Sequence, residues 1–126
     1  LFYLLVAITY FGTFFAARLV AARARLAFEF GNLKLAQTRA TEALKLYPKL
    51  GEAHLVLADI EIDRNGRPVT HLENAKNGVM TPPEAIGQLA LRTTGADACA
   101  YAKQYLASAP AGFDAKRVQA VAKKCR

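Results

Sequence analysis

The sequence lacks the patterns that mark most enzyme active sites. It contains no glycine-rich phosphate loop, no nucleophile elbow and no histidine–carboxylate spacing suited to a metal ion. Its two cysteines have no matched histidines beside them and fall short of a zinc ligand set. The densest acidic group, Asp59, Glu61 and Asp63, is typical of a solvated helix surface. We therefore predict a protein that is not an enzyme and that has no cofactor, metal or catalytic residue.

Acidic residues are also scarce. The chain has 10 Asp and Glu against 17 Lys and Arg, for a formal charge of +7. A basic protein can bind nucleic acid or an anionic membrane, but these basic residues are dispersed and no nucleic-acid motif accompanies them. We do not expect nucleic acid as a partner. Binding of nucleic acid or anionic lipid through the basic tail stays a third hypothesis, resting on Lys116, Arg117, Lys123 and Lys124.

Charge is absent altogether from the first 17 residues, Leu1 to Ala17. As a helix rising about 1.5 Å per residue, this stretch would extend roughly 26 Å, slightly less than a bilayer core of about 30 Å. Continuation to Ala22, with Arg18 snorkelling, makes the length sufficient. We predict a transmembrane anchor over residues 1–22, in contact with the lipid bilayer. The aromatic residues expected to contact the membrane are Phe2, Tyr3, Tyr10, Phe11, Phe14 and Phe15.

Two other interpretations of this stretch compete with an anchor. A buried core helix would be equally apolar. A cleaved signal peptide is disfavoured, because no basic segment precedes the stretch and no processing site follows it. Neither Gly nor Pro interrupts residues 13–30, so we expect the anchor to continue into the next part of the chain as one long helix.

A glycine turn, an alanine-containing helix and a proline stop follow one another in residues 31–48. The Gly31-Asn32 turn, the helix that starts at Leu33 and the stop at Pro48 together resemble the second helix of a tetratricopeptide repeat. With Pro48 as the last signature position of a repeat of about 34 residues, the first unit starts at Ala17. The second unit then begins at Gly51.

Turn signals divide the remainder of the chain into shorter helices. The fold that this pattern and the resemblance imply is all-α: an N-terminal transmembrane helix, a short tetratricopeptide-like α-solenoid over residues 23–110 and a C-terminal capping helix within residues 111–126. The helices expected after the second unit's first helix are Val69 to Asn77, a helix capped by Thr81 and ending near Arg92, Ala96 to Ala109, and Phe113 to Lys124.

The two cysteines lie on the last two predicted helices. Cys99 and Cys125 are 12 and 14 residues from Ala111, which places them side by side in an antiparallel hairpin. This register predicts a disulfide, subject to the distance that one requires. The alternative is two unlinked thiols.

Two features give opposite indications about the compartment. A disulfide favours an oxidising compartment such as the bacterial periplasm, whereas Arg18, Arg23 and Arg25 after the anchor favour the cytoplasmic side. We give the cysteines more weight, because the chain does not begin with Met and residues before Leu1 would be able to carry compensating positive charge. We expect a single-pass protein of the bacterial inner membrane with its repeats in the periplasm.

The resemblance also implies where a partner would bind. In tetratricopeptide-like proteins the first helices of successive repeats line a concave groove that receives peptides or partner helices. The alternative for Phe28 and Leu55 is a place in the hydrophobic core, because the solenoid is so short. The groove positions implied are Arg18, Ala21, Arg25, Phe28 and Glu29 in the first unit, and Glu52, Leu55, Asp59, Ile62 and Asp63 in the second.

The function implied is that of a non-catalytic accessory or scaffold subunit, which binds other protein subunits of a larger membrane complex. The alternative is a peptide-binding receptor or a chaperone-like assembly adaptor at a membrane surface.

Overall fold

Helices are the only regular elements of residues 1–112 and 114–125, the part of the chain described by the computed structural model, and there are seven of them. The predicted all-α fold is confirmed. An isolated bridge joins Leu50 to Val79. In chain order the helices are α1 (Phe2–Glu29), α2 (Leu33–Leu46), α3 (Gly51–Asp63), α4 (Val69–Lys76), α5 (Glu84–Arg92), α6 (Gly95–Ser108) and α7 (Ala115–Lys123).

The first helix is much longer than the others. It runs for 28 residues and is long and apolar enough to cross a membrane, with a mean hydropathy of 1.8 over its most apolar window. The expected continuity from the apolar stretch into the folded domain is confirmed, because α1 has no break before its end at Glu29.

Gly31 and Asn32 form the turn that follows α1. Gly31 has a φ of +82°, a left-handed conformation that glycine adopts without a steric penalty. Its N–H donates to the Phe28 carbonyl at 2.9 Å. The Asn32 side chain then accepts a hydrogen bond from the N–H of Leu35 at 3.1 Å, which caps α2. These two residues reverse the chain so that α2 packs back along α1.

Alanines form the contact between the first three helices. Ala24, Ala36 and Ala40 are fully buried, and they pack with Val56 and Ile60 of α3. A methyl side chain lets two helix backbones approach closely, while the larger α3 residues fill the remaining space. The buried alanine face of α1 begins at Ala17, so the packed domain starts inside the stretch 1–22 that the sequence assigns to the anchor.

The C-terminal helices pack around Tyr105. This side chain is 2% exposed and lies in a cluster with Ala90 and Val118. Gly87 of α5 faces its ring, and a Cβ at that position would lie 2.8 Å from Tyr105 Cε2. The absence of a side chain at Gly87 therefore makes room for the aromatic ring between α5 and α6.

Several helix ends differ from the sequence expectation. Thr81 does not cap α5: Pro83 takes the capping position, and the Thr81 hydroxyl donates instead to the Ala75 carbonyl at the end of α4. That carbonyl lies in the last turn of α4, where backbone acceptors have no partner within the helix. The last helix begins at Ala115, and its expected start, Phe113, lies outside the described residues.

Acidification is expected to destabilise this fold through His71 on α4. Burial lowers the pKa of His71 below its ordinary value of 6.5. The unfolded chain therefore binds a proton more readily than the folded one, so the free energy of unfolding falls as the pH drops below about 6.5 and levels off below the folded pKa. Urea unfolding in detergent at pH 7.5 and pH 5.5 measures this change. His71→Gln should reduce it, and an unchanged pH response in this variant would contradict the assignment.

Candidate interaction surfaces

The first helix has two opposite faces. Ala17, Ala21, Ala24 and Ala27 point toward α2 and α3 and are at most 8% exposed. The opposite face carries large apolar side chains at intervals of three or four residues, the spacing that keeps side chains on one side of a helix. The large side chains among them are 53–81% exposed, and the smaller Ala22 is exposed as well. We call this face the outer stripe; its residues are Leu4, Ile8, Phe11, Phe15, Leu19, Ala22 and Leu26 of α1, with Phe30 directly after the end of the helix.

The outer stripe is longer than a membrane is thick. Along an ideal helix Leu26 lies about 33 Å from Leu4, whereas a bilayer core is about 30 Å thick. Leu26 and Phe30 are nevertheless 53% and 81% exposed. The stripe is not visible in the sequence alone, because apolar residues occur on every side of α1 up to Ala17 and hide its periodicity.

The two arginines assigned to the groove are paired within the chain. Arg18 Nε lies 2.7 Å from Glu52 Oε1, and Arg25 Nη1 lies 2.6 Å from Asp59 Oδ2. Both pairs join residues 34 positions apart. They link α1 to α3. The repeat alignment treats the two positions of each pair as equivalent, so both ion pairs could have been predicted from that alignment.

The Arg25 pair is partly shielded from water. Burial raises the pKa of the Asp59 carboxyl above its ordinary value, although the hydrogen bond from Arg25 acts in the opposite direction. The Arg25 guanidinium also lies over the Phe28 ring, 5.5 Å from its centroid. A partner carboxylate would have to displace Asp59 to bind Arg25.

The other groove residues are not brought together into one open site. Leu55 is 5% exposed and packs in the core with Leu72 and Leu89, which is the alternative role considered for it. Phe28 is half-buried against the cluster beneath α2. Ile62 is half-buried, whereas Glu29 and Asp63 are exposed.

A second apolar surface surrounds α1 near its middle. Tyr47, which follows α2, is hydrogen-bonded to Tyr10 with 2.9 Å between the two hydroxyl oxygens. Its ring packs edge-on against Phe14, with the centroids 5.2 Å apart. Val79 and Met80 of the loop before α5 line a recess together with these aromatic rings, and Leu46, next to Tyr47 in the sequence, is also exposed. We call this surface the collar; its residues are Tyr10, Phe11, Phe14, Leu46, Tyr47, Val79 and Met80.

Of the aromatic residues predicted to contact the membrane, Tyr10 and Phe14 therefore also contact the folded domain. Phe2, Tyr3, Phe11 and Phe15 are 57–87% exposed. Tyr47, Val79 and Met80 were not predicted to join this surface, because they come from distant parts of the chain and meet only in the fold. The one local indication was the aromatic Tyr47 directly before the helix stop at Pro48.

The cysteines are adjacent at the other end of the molecule. The sulfurs of Cys99 and Cys125 are 2.03 Å apart and the Cα atoms 5.8 Å apart, within the range for a disulfide. The bond links the first half of α6 to Cys125, two residues beyond the end of α7. A cleft of about 870 Å³ lies beside it, lined in part by Lys103 and Lys124.

No group of three His, Cys, Asp or Glu side chains within the described ranges is arranged to hold a metal ion. The prediction that the protein is not an enzyme stays a prediction. The outer stripe, the collar and the disulfide are the features that we consider for a functional role.

No protein-family model, curated protein or solved structure matches this chain. The similarity to tetratricopeptide repeats accordingly stays a prediction.

Proposed function

We propose that this protein is a non-catalytic accessory or scaffold subunit of a larger membrane complex. In this proposal α1 anchors the chain in the bilayer, and the remaining helices form a short tetratricopeptide-like domain. The outer stripe is the observation that carries the proposal, because its distal end lies beyond the reach of the lipid core.

The distal part of the outer stripe needs a cover other than lipid. Leu19, Leu26 and Phe30 are 57%, 53% and 81% exposed along one side of α1 and directly after its end. Contiguous exposed apolar surface of this kind marks an interaction site in proteins that are soluble at that point. A protein partner that crosses the membrane beside α1 and continues beyond it would cover the outer stripe both inside and outside the lipid core.

The shape of the stripe favours a helical partner. Side chains spaced by three and four residues form a ridge that packs into the groove of another helix. Exposed Arg23 and Glu29 lie at opposite edges of the ridge, and neither is paired with a charged side chain in the described structure. We propose a transmembrane helix of another subunit that continues past the bilayer and places an acidic residue near Arg23.

The disulfide supports a location for the folded domain. Such a bond persists in oxidising compartments, so we place the domain in the periplasm and the anchor in a bacterial inner membrane. Arg18, Arg23 and Arg25 after the anchor oppose this orientation, and the disulfide is given more weight.

The runner-up, a peptide receptor or assembly adaptor, has weaker support. Its groove would use Arg18 and Arg25, which are occupied by carboxylates of the same chain, and Leu55, which is in the core. In the basic tail, Arg117 lies 3.5 Å from Asp114 and its side chain stays 69% exposed.

The test is the native mass of the protein extracted from its own membrane in mild detergent, combined with a photo-reactive residue at position 26. We expect a stoichiometric assembly and a crosslink from position 26 to a membrane-spanning subunit. Leu26→Glu should reduce the co-purified subunit by about tenfold or more, because it buries a charge in an apolar contact.

Leu35 of α2 provides the matched control, since it is an exposed apolar residue outside the outer stripe. Leu35→Glu and a photo-reactive residue at position 35 should leave the assembly intact and give no crosslink. A monomer in the native extract, or an assembly that Leu26→Glu does not weaken, would overturn the proposal.

A further inference from the structure

The collar is formed by three segments that converge on α1. Tyr10, Phe11 and Phe14 come from α1, Leu46 and Tyr47 from the end of α2, and Val79 and Met80 from the loop before α5. An apolar recess of about 230 Å³ lies among them. Leu46, Val79 and Met80 are 41%, 39% and 47% exposed.

The loop holds its apolar side chains outward through defined backbone contacts. The Val79 N–H donates to the Lys49 carbonyl and the Gly51 N–H donates to the Val79 carbonyl, both at 2.7 Å. Met80 has a φ of 54°, a left-handed conformation that is unfavourable for a residue with a side chain. The loop therefore presents an exposed methionine in a conformation that the surrounding structure has to maintain.

The collar lies within the apolar stretch when measured along α1. Tyr47 contacts Tyr10 and Phe14, whereas the first charged residue is Arg18. If the collar stood clear in water, the uncharged residues from Tyr10 to Ala17, about 12 Å of helix, would stand clear of the bilayer with it. The apolar stretch cannot be embedded along its length without carrying the collar to the membrane.

The chemistry of the collar fits the boundary between acyl chains and head groups. Tyrosines are enriched at this boundary, where an apolar ring meets a polar environment, and the hydroxyls of the two collar tyrosines share one hydrogen bond. Lys45 and Lys49 flank Tyr47 in the sequence and are exposed. Ammonium groups at this level would meet lipid phosphates.

We propose that the collar is a second membrane contact, which sinks into the head-group layer of a bilayer that contains anionic lipid and fixes the height of the folded domain. The proposal rests on the proposed function of α1 as an anchor. The partner is the lipid surface, and the lysines supply its preference for anionic head groups.

The chain contains no tryptophan, so a single introduced Trp reports on its own surroundings. The full chain with its disulfide intact is reconstituted in vesicles of phosphatidylcholine and phosphatidylglycerol, carrying bromine either near the head group or deep in the acyl chain. Met80→Trp reports on the collar and Leu5→Trp on the anchor. Arg64→Trp is the control, because α3 begins beside the collar and ends before exposed Arg64.

We expect Met80→Trp to be quenched severalfold more by shallow than by deep bromine, Leu5→Trp to be quenched by deep bromine, and Arg64→Trp to be insensitive to both. Leu46→Trp provides a second collar reporter if Met80→Trp does not fold. The joint variant Lys45→Gln, Lys49→Gln should lose the stronger quenching that phosphatidylglycerol gives over phosphatidylcholine alone; retention of that difference would overturn the role of the lysines.

The outcomes separate this inference from the anchor itself. Quenching of Leu5→Trp without quenching of either collar reporter would overturn the collar contact and leave the anchor standing. No quenching at any position would overturn the anchor and the collar together. Equal quenching of Met80→Trp and Arg64→Trp would also overturn the collar, because the domain would then lie flat on the membrane.

Discussion

Removal of the Cys99–Cys125 disulfide is expected to lower the free energy of unfolding by about 3 kcal/mol. The bond closes a loop with a sequence separation of 26 and ties α7 to the first half of α6. In the chain-entropy description, opening such a loop gives the unfolded chain more freedom than it gives the folded one. The bond holds α7, which is short at nine residues, against α6.

The measurement is guanidinium unfolding of Cys99→Ala, Cys125→Ala beside the intact protein, with and without reductant. The reductant should lower the stability of the intact protein toward that of the double variant and leave the double variant unchanged. Hydrogen exchange should accelerate first in α7, where fraying begins. Equal stability of the oxidised and reduced intact protein would show that the bond does not stabilise the fold.

A leucine at Ala40 is expected to destabilise the domain by about 3 kcal/mol, at the upper end of the usual cost of overpacking. Ala40 is fully buried between α1 and α3, and Ala24, Ala36, Val56 and Ile60 surround it. Three additional carbon atoms have no space there unless the helices separate. The separation would also weaken the neighbouring alanine contacts.

The adjacent residue offers a matched control for this prediction. Thr41 is exposed on the other side of α2, and leucine has the higher helix propensity. Thr41→Leu should therefore leave stability unchanged or raise it by a few tenths of a kcal/mol. Thermal unfolding of both variants compares the same new side chain in two environments. A tolerated Ala40→Leu would mean that the α1–α2 contact is loosely packed.

The parts of the fold that were predictable depend on local chemistry. The turn at Gly31 and Asn32 needs a left-handed glycine and a capping amide, and both act within a few residues. The long first helix follows from an uninterrupted apolar stretch. The register that placed Cys99 beside Cys125 needed only one hairpin, and the structure puts their sulfurs at bonding distance.

The parts that were not predictable depend on where distant segments meet. The collar joins Tyr10, Tyr47 and Met80, and no local pattern connects these residues. Thr81 has the expected identity for a helix cap, but a carbonyl at the end of α4 competes for its hydroxyl. The groove was placed by resemblance, which gives positions but not the ion pairs that occupy them.

The equal separation of the two ion pairs constrains the length of the intervening chain. Arg25 follows Arg18 by seven residues, and Asp59 follows Glu52 by the same number, so α1 and α3 run parallel without a shift between them. One residue added within α2 would turn every later position of that helix by about 100° and move its alanines off the contact. Variation in this protein should therefore appear within α2 as substitutions and not as insertions or deletions.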